Sequence, residues 1–296
     1  MKIRKIPVIL GPTCVGKTDL ALKIAKETNA NIISIDSRQV FEGLDIGTGK
    51  IKSNSFVSKS SFVWLVDGVK IFGYDVLKPN EEINVVKFCE LIKNILEEFH
   101  KERFIITCGT GFYLNFLMGN IEYSKINSER KEELNNLSKE ELLKIYQNFN
   151  DEKVIDTNNK LRIITRILSL ENTGKKKKFK VKNTEFEVYF LTEERDTLYD
   201  RADEFIDDIF FKNVVGEYLD TLNLYGDVRA LNGLIYSEIG NYLHQRITYE
   251  ELIIKCKYDM HAYIRRQLTY FNKINHKLKT NDRDLIFSEI IKCYNS

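Results

Sequence analysis

Proline and histidine are scarce in this sequence, and long apolar runs are absent from it. The 296 residues include 3 Pro, 15 Gly and 4 His, which excludes collagen-like and proline-rich linker architectures. No run of about 18 apolar residues could span a membrane, and the first apolar run, only about six residues long, favours a strand over a signal peptide. With 43% hydrophobic and 30% charged residues, we expect a soluble globular protein of the cytoplasm, without membrane contact.

Cysteine and histidine give no sign of a metal or disulfide site. The five cysteines are odd in number and include no C-x-x-C pair, which argues against a disulfide framework and a thiolate zinc site. The charges of the 45 basic and 43 acidic residues almost cancel, but positive and negative charges are concentrated in different segments of the chain. Six lysines lie within residues 175–182 and ten carboxylates within 193–220, so the first segment attracts phosphates and the second repels them.

Short apolar runs alternate with segments of helical periodicity. Strands are predicted at 6–10, 32–35, 104–108 and 186–191, and helices at 18–26 and 85–99. Strands that alternate with helices form a parallel sheet, and such sheets bind ligands beyond the carboxyl ends of their strands. The first three predicted strands each end in a polar loop, so we expect the functional site at that edge.

The middle of the chain has a different character. Residues 122–155 are charged and helical in pattern, with helices predicted at 128–135 and 138–149. We therefore predict a helical insertion at 122–155 within a core formed by 1–121 and 156–296. Helical patterns fill most of the sequence after residue 191.

A phosphate-binding loop follows the first predicted strand. Residues 11–18, GPTCVGKT, match G-x-x-x-x-G-K-[ST] between a strand and a helix, as that motif requires. Its amides and the helix N-terminus attract phosphate, the lysine adds charge, and the threonine hydroxyl can bind Mg²⁺. The residues expected to bind phosphate are Gly11, Pro12, Thr13, Cys14, Val15, Gly16, Lys17 and Thr18. The motif is typical of ATP-binding and other nucleotide-binding proteins, but a diphosphate ester presents nearly the same oxygens.

Asp36 follows the second predicted strand, so its carboxylate should emerge beside the phosphate loop. It could bind magnesium as the second acidic element of a nucleoside triphosphatase, or act as a base on an entering nucleophile. A third interpretation is an aspartate that only caps a turn or a helix.

Several sequence blocks, in order, resemble the tRNA dimethylallyltransferases, also called tRNA isopentenyltransferases. The blocks are GPTCVGKTDLAL at 11–22, DSRQVFEGLDIGTGK at 36–50, DVLKPNEEINVVKF at 75–88, CGTGFYL at 108–114, DTNNKLRI at 156–163, TGK at 173–175 and RRQLTYF at 265–271. The block at 36–50 is the most specific of them. The resemblance implies a P-loop kinase-like α/β fold with a parallel sheet flanked by helices, a helical insertion and a helix-rich C-terminal part.

The resemblance also implies a reaction. The phosphate loop would hold dimethylallyl diphosphate in place of ATP, and N6 of adenosine 37, next to the tRNA anticodon, would attack C1 of the donor and displace diphosphate. Lys17 and Mg²⁺ on Thr18 would stabilise the leaving group. Asp36 would accept the N6 proton, with Thr13 and Thr110 as partners near the substrate. We expect a monomer.

The target base must leave the anticodon-loop stack to reach such a site. The residues that the resemblance assigns to tRNA are Asp36, Ser37, Arg38, Gln39, Thr110, Arg130, Asn158, Arg162, Arg166, Arg265, Arg266 and Gln267. The insertion would contact the tRNA as well. For the arginine pair at 265–266, the alternative is a solvated helix face that contacts no RNA.

The sequence lacks several cationic residues of the family pattern. Phe205 stands where the family's R-I-x-x-R pattern has its second arginine, and Ile71-Phe72 stand where the family has a His-His pair. Thr165 stands where an arginine is expected, three positions after Arg162. Loss of one charge on the leaving group costs about 2–4 kcal/mol of transition-state stabilisation.

Three hypotheses follow from these departures. The chain is an active tRNA prenyltransferase in which Arg229 or Lys212 replaces the missing charge, or it is a degenerate paralogue that binds RNA or phosphate without prenyl transfer. The third is a P-loop enzyme with another substrate, through prenyl transfer to free AMP or ATP-dependent phosphoryl transfer.

Overall fold

The computed structural model describes residues 3–50, 56–60, 62–124, 127–152, 155–172, 174 and 176–295. The chain divides into two compact units, the first made of Met1–Met118 with Val181–Ser296 and the second of Gly119–Lys180. Thr173 and Lys175, which belong to the TGK block and the lysine-rich segment, lie outside the described residues. None of the helices in the described part of the chain is long and apolar enough to cross a membrane.

The first unit is organised around one large sheet. In chain order the strands are β1 (Arg4–Leu10), β2 (Ala30–Ile35), β3 (Val57–Ser60), β4 (Val63–Val66), β5 (Val69–Phe72), β6 (Arg103–Cys108), β7 (Glu122–Tyr123), β8 (Lys177–Lys178), β9 (Thr184–Leu191) and β10 (Leu278–Thr280). Eight of them form the sheet in the order β10-β9-β1-β6-β2-β5-β4-β3, while β7 and β8 pair in the second unit. The strands from β10 to β5 are parallel, and β3 and β4 add an antiparallel edge.

The predicted parallel sheet and its four predicted strands are confirmed. The central strand, β1, lies between β6 and β9, and its residues from Ile6 to Leu10 are all buried. A strand covered by helices on both faces is apolar at nearly every position, which explains why the sequence pattern was clear. Strands β3 to β5 were not predicted, because each is only four residues long and two contain exposed lysines, Lys59 and Lys70.

Helices cover the sheet and make up most of the C-terminal part. They are α1 (Lys17–Thr28), α2 (Val85–Glu98), α3 (Gly111–Leu117), α4 (Ser128–Asn136), α5 (Lys139–Gln147), α6 (Lys160–Glu171), α7 (Arg195–Phe211), α8 (Val214–Tyr225), α9 (Leu234–Leu243), α10 (Tyr249–Phe271) and α11 (Arg283–Asn295), with a 3₁₀ turn at Arg229–Leu231. The helices predicted from residue 18 and from residue 85 are confirmed as α1 and α2. Asn84 caps α2 by accepting the Lys87 N–H at 2.9 Å, as capping side chains do.

The second compact unit is longer than the predicted insertion at 122–155. The second unit extends over Gly119–Lys180, whereas the prediction ended it at residue 155 and gave α6 to the core. The apolar face of α6 explains the difference, because it packs with α4 and α5 in one hydrophobic cluster. The buried members of that cluster are Leu134, Leu142, Ile163, Ile164, Ile167 and Leu168. Helix α6 is amphipathic and would be unstable without this apolar contact.

A buried carboxylate links β9 to its neighbours. Glu187 is 9% exposed and accepts hydrogen bonds from Lys277 at 2.7 Å and Tyr189 at 2.9 Å, while Lys5 lies 2.9 Å away. Burial alone would raise the pKa of Glu187, but hydrogen bonds from Lys277, Lys5 and Tyr189 outweigh it and lower the pKa to about 2. A depressed carboxyl pKa stabilises the fold above the ordinary pKa of glutamate, and the stabilisation disappears as the pH falls toward the folded-state pKa.

We predict that Glu187→Gln destabilises the protein by about 2 kcal/mol at pH 7. Urea unfolding between pH 7 and pH 3 measures this, and the difference from wild type should shrink below pH 4.5, where wild type loses the contribution. Glu185→Gln, an exposed position on the same strand, is the matched control and should change stability little. A constant Glu187→Gln deficit at every pH would contradict the assignment.

Candidate active site

Three loops meet at one edge of the sheet because their strands end in register. Leu10 of β1 and Ile35 of β2 are both paired with Cys108 of β6. Backbone hydrogen bonds continue past the strand ends, from the Gly11 N–H to the Cys108 carbonyl at 3.3 Å and from the Gly109 N–H to the Ile35 carbonyl at 3.1 Å. The phosphate loop, the Asp36 loop and the Gly109 loop therefore start side by side, as the sequence predicted.

The phosphate loop has a shape that depends on residues with positive φ. Gly16 has φ 87° and Cys14 has φ 62°, a region that glycine occupies without steric cost. The Lys17 ammonium donates to the Pro12 carbonyl at 2.7 Å and so folds back over the loop. Burial lowers the pKa of Lys17, and Asp36 opposes part of that shift.

The residues around the loop hold it from two sides. A Cβ at Gly11 would lie 2.5 Å from the Leu191 carbonyl oxygen, so only glycine fits between the loop and β9. The Arg283 guanidinium donates to the Val15 carbonyl at 2.9 Å. Gln267 was predicted to bind tRNA, but its side chain accepts the Thr13 N–H at 2.9 Å and donates to the Gly109 carbonyl at 2.9 Å. Gln267 thus ties two of the loops together.

Asp36 makes the turn contacts that one of the three interpretations predicted, and it also lines the cavity. Its Oδ1 accepts the N–H groups of Arg38 at 2.8 Å and Gln39 at 3.4 Å, which is the turn role. Its Oδ2 lies beside Gly109, where a Cβ would come within 2.7 Å of it. Asp36 also lines the cavity described below, so one oxygen fixes the turn while the residue remains part of the cavity wall.

A cavity of about 1200 Å³ opens in front of these loops. Of the predicted residues, those that line it are Thr13, Cys14, Gly16, Lys17, Thr18, Asp36, Arg38, Gln39 and Gln267. Thr110 is outside the cavity wall, and its hydroxyl instead accepts the Ser37 N–H at 3.1 Å. A group of three or more His, Cys, Asp or Glu side chains that could hold a metal ion does not occur among the residues that the structure describes.

Arg38 and Gln39 line the cavity but are held by neighbouring backbone. The Arg38 guanidinium donates to the Ala230 carbonyl and packs on Gly233, where a Cβ would collide with it. Burial lowers the pKa of Arg38. Gln39 donates to the Thr48 carbonyl at 3.1 Å and its amide oxygen accepts the Ser34 hydroxyl at 2.8 Å. Both side chains therefore enter the site in fixed orientations.

Helix α7 contributes a face that the sequence analysis did not assign. The residues of α7 that line the cavity, or immediately follow the helix, are Arg201, Phe205, Asp208, Ile209 and Lys212. Arg201 pairs with Glu193 through Nη2 at 3.4 Å, while its Nη1 is buried and is the one such atom without a hydrogen-bond partner among the described residues. Burial raises the pKa of the Cys14 thiol, and a hydrogen bond with Thr13 and the charges of Lys17 and Arg201 oppose part of the shift. Lys17 and Arg201 line the same cavity.

Phe205 stands in the cavity wall beside Gly49, where a Cβ would lie 3.3 Å from its ring. Of the two cations considered as replacements for the missing arginine, Lys212 lines the cavity and pairs with Asp208 at 2.6 Å. Arg229 is outside the wall, 66% exposed and paired with Glu82 at 3.5 Å. The i, i+4 spacing of residues 201 and 205 was the sequence signal for this face, since residues four apart share one side of a helix.

The remaining predicted tRNA residues are distributed over both units. In the first unit, Arg265 and Arg266 are exposed on α10 and contact Tyr199 and Tyr263 respectively. In the second unit the predicted residues all have partners within that unit. Arg130 binds Glu171 and Glu133, Arg166 binds Asp151, Arg162 lies 3.5 Å from Asp156, and Asn158 accepts from Lys139 at 3.1 Å.

Known proteins resemble the whole chain. The sequence pattern of the family described as IPP transferase matches residues 39–274. A tRNA dimethylallyltransferase of Clostridioides difficile is 35% identical over 295 residues, covering 92% of this chain and 90% of the relative. One of Fusobacterium nucleatum is 32% identical over 279 residues, covering 91% and 89%. The crystal structure of a tRNA isopentenylpyrophosphate transferase from Bacillus halodurans superposes with a TM-score of 0.70 at 27% identity, covering 99% of this chain and 96% of that one.

The match therefore includes both the fold and nearly the full length, so the P-loop kinase-like fold implied by the motifs is confirmed. The chain therefore belongs to the IPP transferase family.

Proposed function

We propose that this chain transfers a dimethylallyl group from dimethylallyl diphosphate to N6 of adenosine 37 in tRNA, next to the anticodon, and releases diphosphate. The observation that carries the proposal is one cavity lined by the phosphate loop, the Asp36 carboxylate and Arg201, whose Nη1 is buried without a partner. A buried unpaired guanidinium nitrogen is costly, and an anionic ligand would satisfy it. The names of the aligned relatives support the same reaction.

The diphosphate would bind where the positive groups converge. The loop amides, Lys17 and Arg201 would surround its oxygens, and their effect would be largest as negative charge grows on the departing group. The C1–O bond breaks with its electron pair leaving on diphosphate, and the N6 lone pair forms the new bond to C1. The proton released from N6 passes to Asp36 and then to solvent. The phosphate loop thus assists departure of diphosphate.

Thr18 is the residue that would hold magnesium. Thr18 lines the cavity next to Lys17, and Mg²⁺ is commonly bound by one or two protein oxygens together with substrate phosphates and water. This donor set fits the ion. When bound, it would neutralise part of the diphosphate charge.

The anticodon stem-loop would bind outside the cavity, with adenosine 37 turned out of its stack. Arg265 and Arg266 are exposed and so are available to phosphates, whereas Arg130 and Arg166 would first have to leave their carboxylate partners. We propose that both units contact the tRNA and that the enzyme acts as a monomer.

Phe205 is the observation that favours a second candidate function, a degenerate paralogue that binds RNA or phosphate without prenyl transfer. Phenylalanine cannot replace the charge of the family's second arginine. Lys212 lies in the same wall and would supply a compensating charge to the active enzyme after leaving its partner Asp208.

The proposal is tested with an anticodon stem-loop that contains adenosines 36 and 37. With dimethylallyl diphosphate and Mg²⁺, we predict that mass spectrometry of the RNA detects the addition of one C5 unit at N6 of adenosine 37. RNA that binds but gains no mass under saturating donor would instead support the degenerate paralogue.

A second prediction separates the two roles of Asp36. Asp36→Asn keeps an oxygen that can accept the Arg38 and Gln39 N–H groups but removes the base, so kcat should fall about 10²- to 10⁴-fold. RNA affinity should change only a few-fold, because a base acts in the transition state more than in the ground state. Asp36→Ala, which removes both roles, is the comparison. If Asp36→Asn retains activity and Asp36→Ala loses it, Asp36 serves the turn alone.

A third prediction concerns Arg201. Arg201→Met should lower the transfer rate about 10²- to 10³-fold, the equivalent of about 2–4 kcal/mol, and weaken donor binding. Thermal stability should fall only slightly, because the variant loses one long contact to Glu193, at 3.4 Å, and removes a buried nitrogen that has no hydrogen-bond partner. Arg195→Met, at the exposed first position of α7, is the matched control. Unchanged donor binding in Arg201→Met would show that Arg201 does not contact the diphosphate.

A further inference from the structure

One carboxylate outside the cavity wall accepts four hydrogen bonds from groups in or next to that wall. Glu217, in the first turn of α8, accepts the backbone N–H groups of Asp45 at 2.6 Å, Ile46 at 2.7 Å and Gly47 at 3.0 Å. The Tyr236 hydroxyl donates to the same carboxylate at 2.6 Å. Hydrogen bonds to a charged acceptor are stronger than neutral ones, so this cluster fixes the local backbone.

The backbone held in this way forms part of the cavity. Residues 46–49, called the 46–49 segment below, all line it, as does Tyr236. The segment is a series of turns without regular secondary structure. A Cβ at Gly47 would lie 2.6 Å from the Tyr236 hydroxyl oxygen, so the tyrosine can sit on the segment only because residue 47 is glycine.

The 46–49 segment lies at a distance from Arg201 that suits the hydrocarbon part of the donor. Arg201 and Phe205 lie one helical turn apart on α7, and neighbours at this spacing are about 5–6 Å apart. Arg201 and the phosphate loop line the same cavity, and the Phe205 ring lies against Gly49 in its wall. The wall formed by Phe205 and the 46–49 segment therefore begins about one helical turn from Arg201, which is proposed to bind the diphosphate. A five-carbon chain is about as long as this separation.

We propose that Glu217 is a positioning residue that holds the 46–49 segment as the wall for the hydrocarbon part of the prenyl donor. The inference rests on the proposed function. Without the carboxylate, three backbone N–H groups lose their acceptor. The segment then depends on weaker contacts such as the hydrogen bond from Gln39 to the Thr48 carbonyl. Loss of Glu217 therefore weakens donor binding, whereas RNA binding depends on other surfaces.

The test compares Glu217→Gln with wild type in three measurements. Hydrogen exchange followed by mass spectrometry should show amides 45–47 exchanging at least about tenfold faster in the variant, because glutamine offers one oxygen and no charge. Calorimetric titration of the RNA-free protein with dimethylallyl diphosphate and Mg²⁺ should show about tenfold weaker binding. The KM for the stem-loop should stay within about twofold of wild type.

The matched control is Glu251→Gln. Glu251 also lies in the first turn of a helix and also accepts a backbone N–H, from Thr248 at 2.8 Å, but it is exposed and outside the cavity wall. It should change neither amide exchange at 45–47 nor donor binding. Tyr236→Phe keeps the carboxylate and its three amide bonds, so it remains informative if Glu217→Gln fails to fold, and a smaller loss of donor affinity is expected.

Unchanged exchange at 45–47, or faster exchange with unchanged donor affinity, would overturn the proposal. A raised KM for the stem-loop with normal donor binding would also overturn it, since the segment would then contact the base. Hydrogen exchange and the donor titration need no turnover. A wild-type protein that binds the donor but never modifies RNA would refute the proposed function and leave the test of Glu217 valid.

Discussion

The site depends on the register of three parallel strands. Leu10, Ile35 and Cys108 are paired with one another across β1, β6 and β2, so the loops that follow them have to start at the same place. A shift of one residue would turn every side chain to the other face of the sheet. The phosphate loop, Asp36 and Gly109 could not then face one cavity, and Gln267 could not join two of the loops.

The loop from Asp36 to Lys50 is held at both ends and in the middle. At its end the Lys50 side chain is fully buried and pairs with Asp45 at 2.9 Å and Asp75 at 2.6 Å. The Trp64 indole donates to Asp75 at 2.8 Å, so the short β3–β4 hairpin contributes to the same network. A buried ion pair contributes little net stability, but removal of one partner would leave a buried charge. Such a network suits a loop that must keep one conformation beside a substrate.

Local patterns in the sequence were sufficient for part of this description. The four predicted strands were apolar at nearly every position, and the phosphate loop has a motif whose residues are adjacent in the chain. Glu217 had no such pattern, and the spacing of Arg201 from Phe205 indicated a shared helix face but not what that face contacts. Both roles depend on α7 and α8 meeting loops more than 150 residues earlier in the sequence. The second unit differs in extent from the predicted insertion for a similar reason, since the partner of α6 is set by packing.

The central claim is that the phosphate loop serves the departure of diphosphate from a prenyl donor. Simultaneous measurement of pyrophosphate release and RNA mass, with dimethylallyl diphosphate, Mg²⁺ and the stem-loop and without ATP, tests it most directly. The account predicts one pyrophosphate released for each prenylated RNA, and no effect of added ATP. Pyrophosphate release without a gain in RNA mass, or a requirement for ATP, would contradict it.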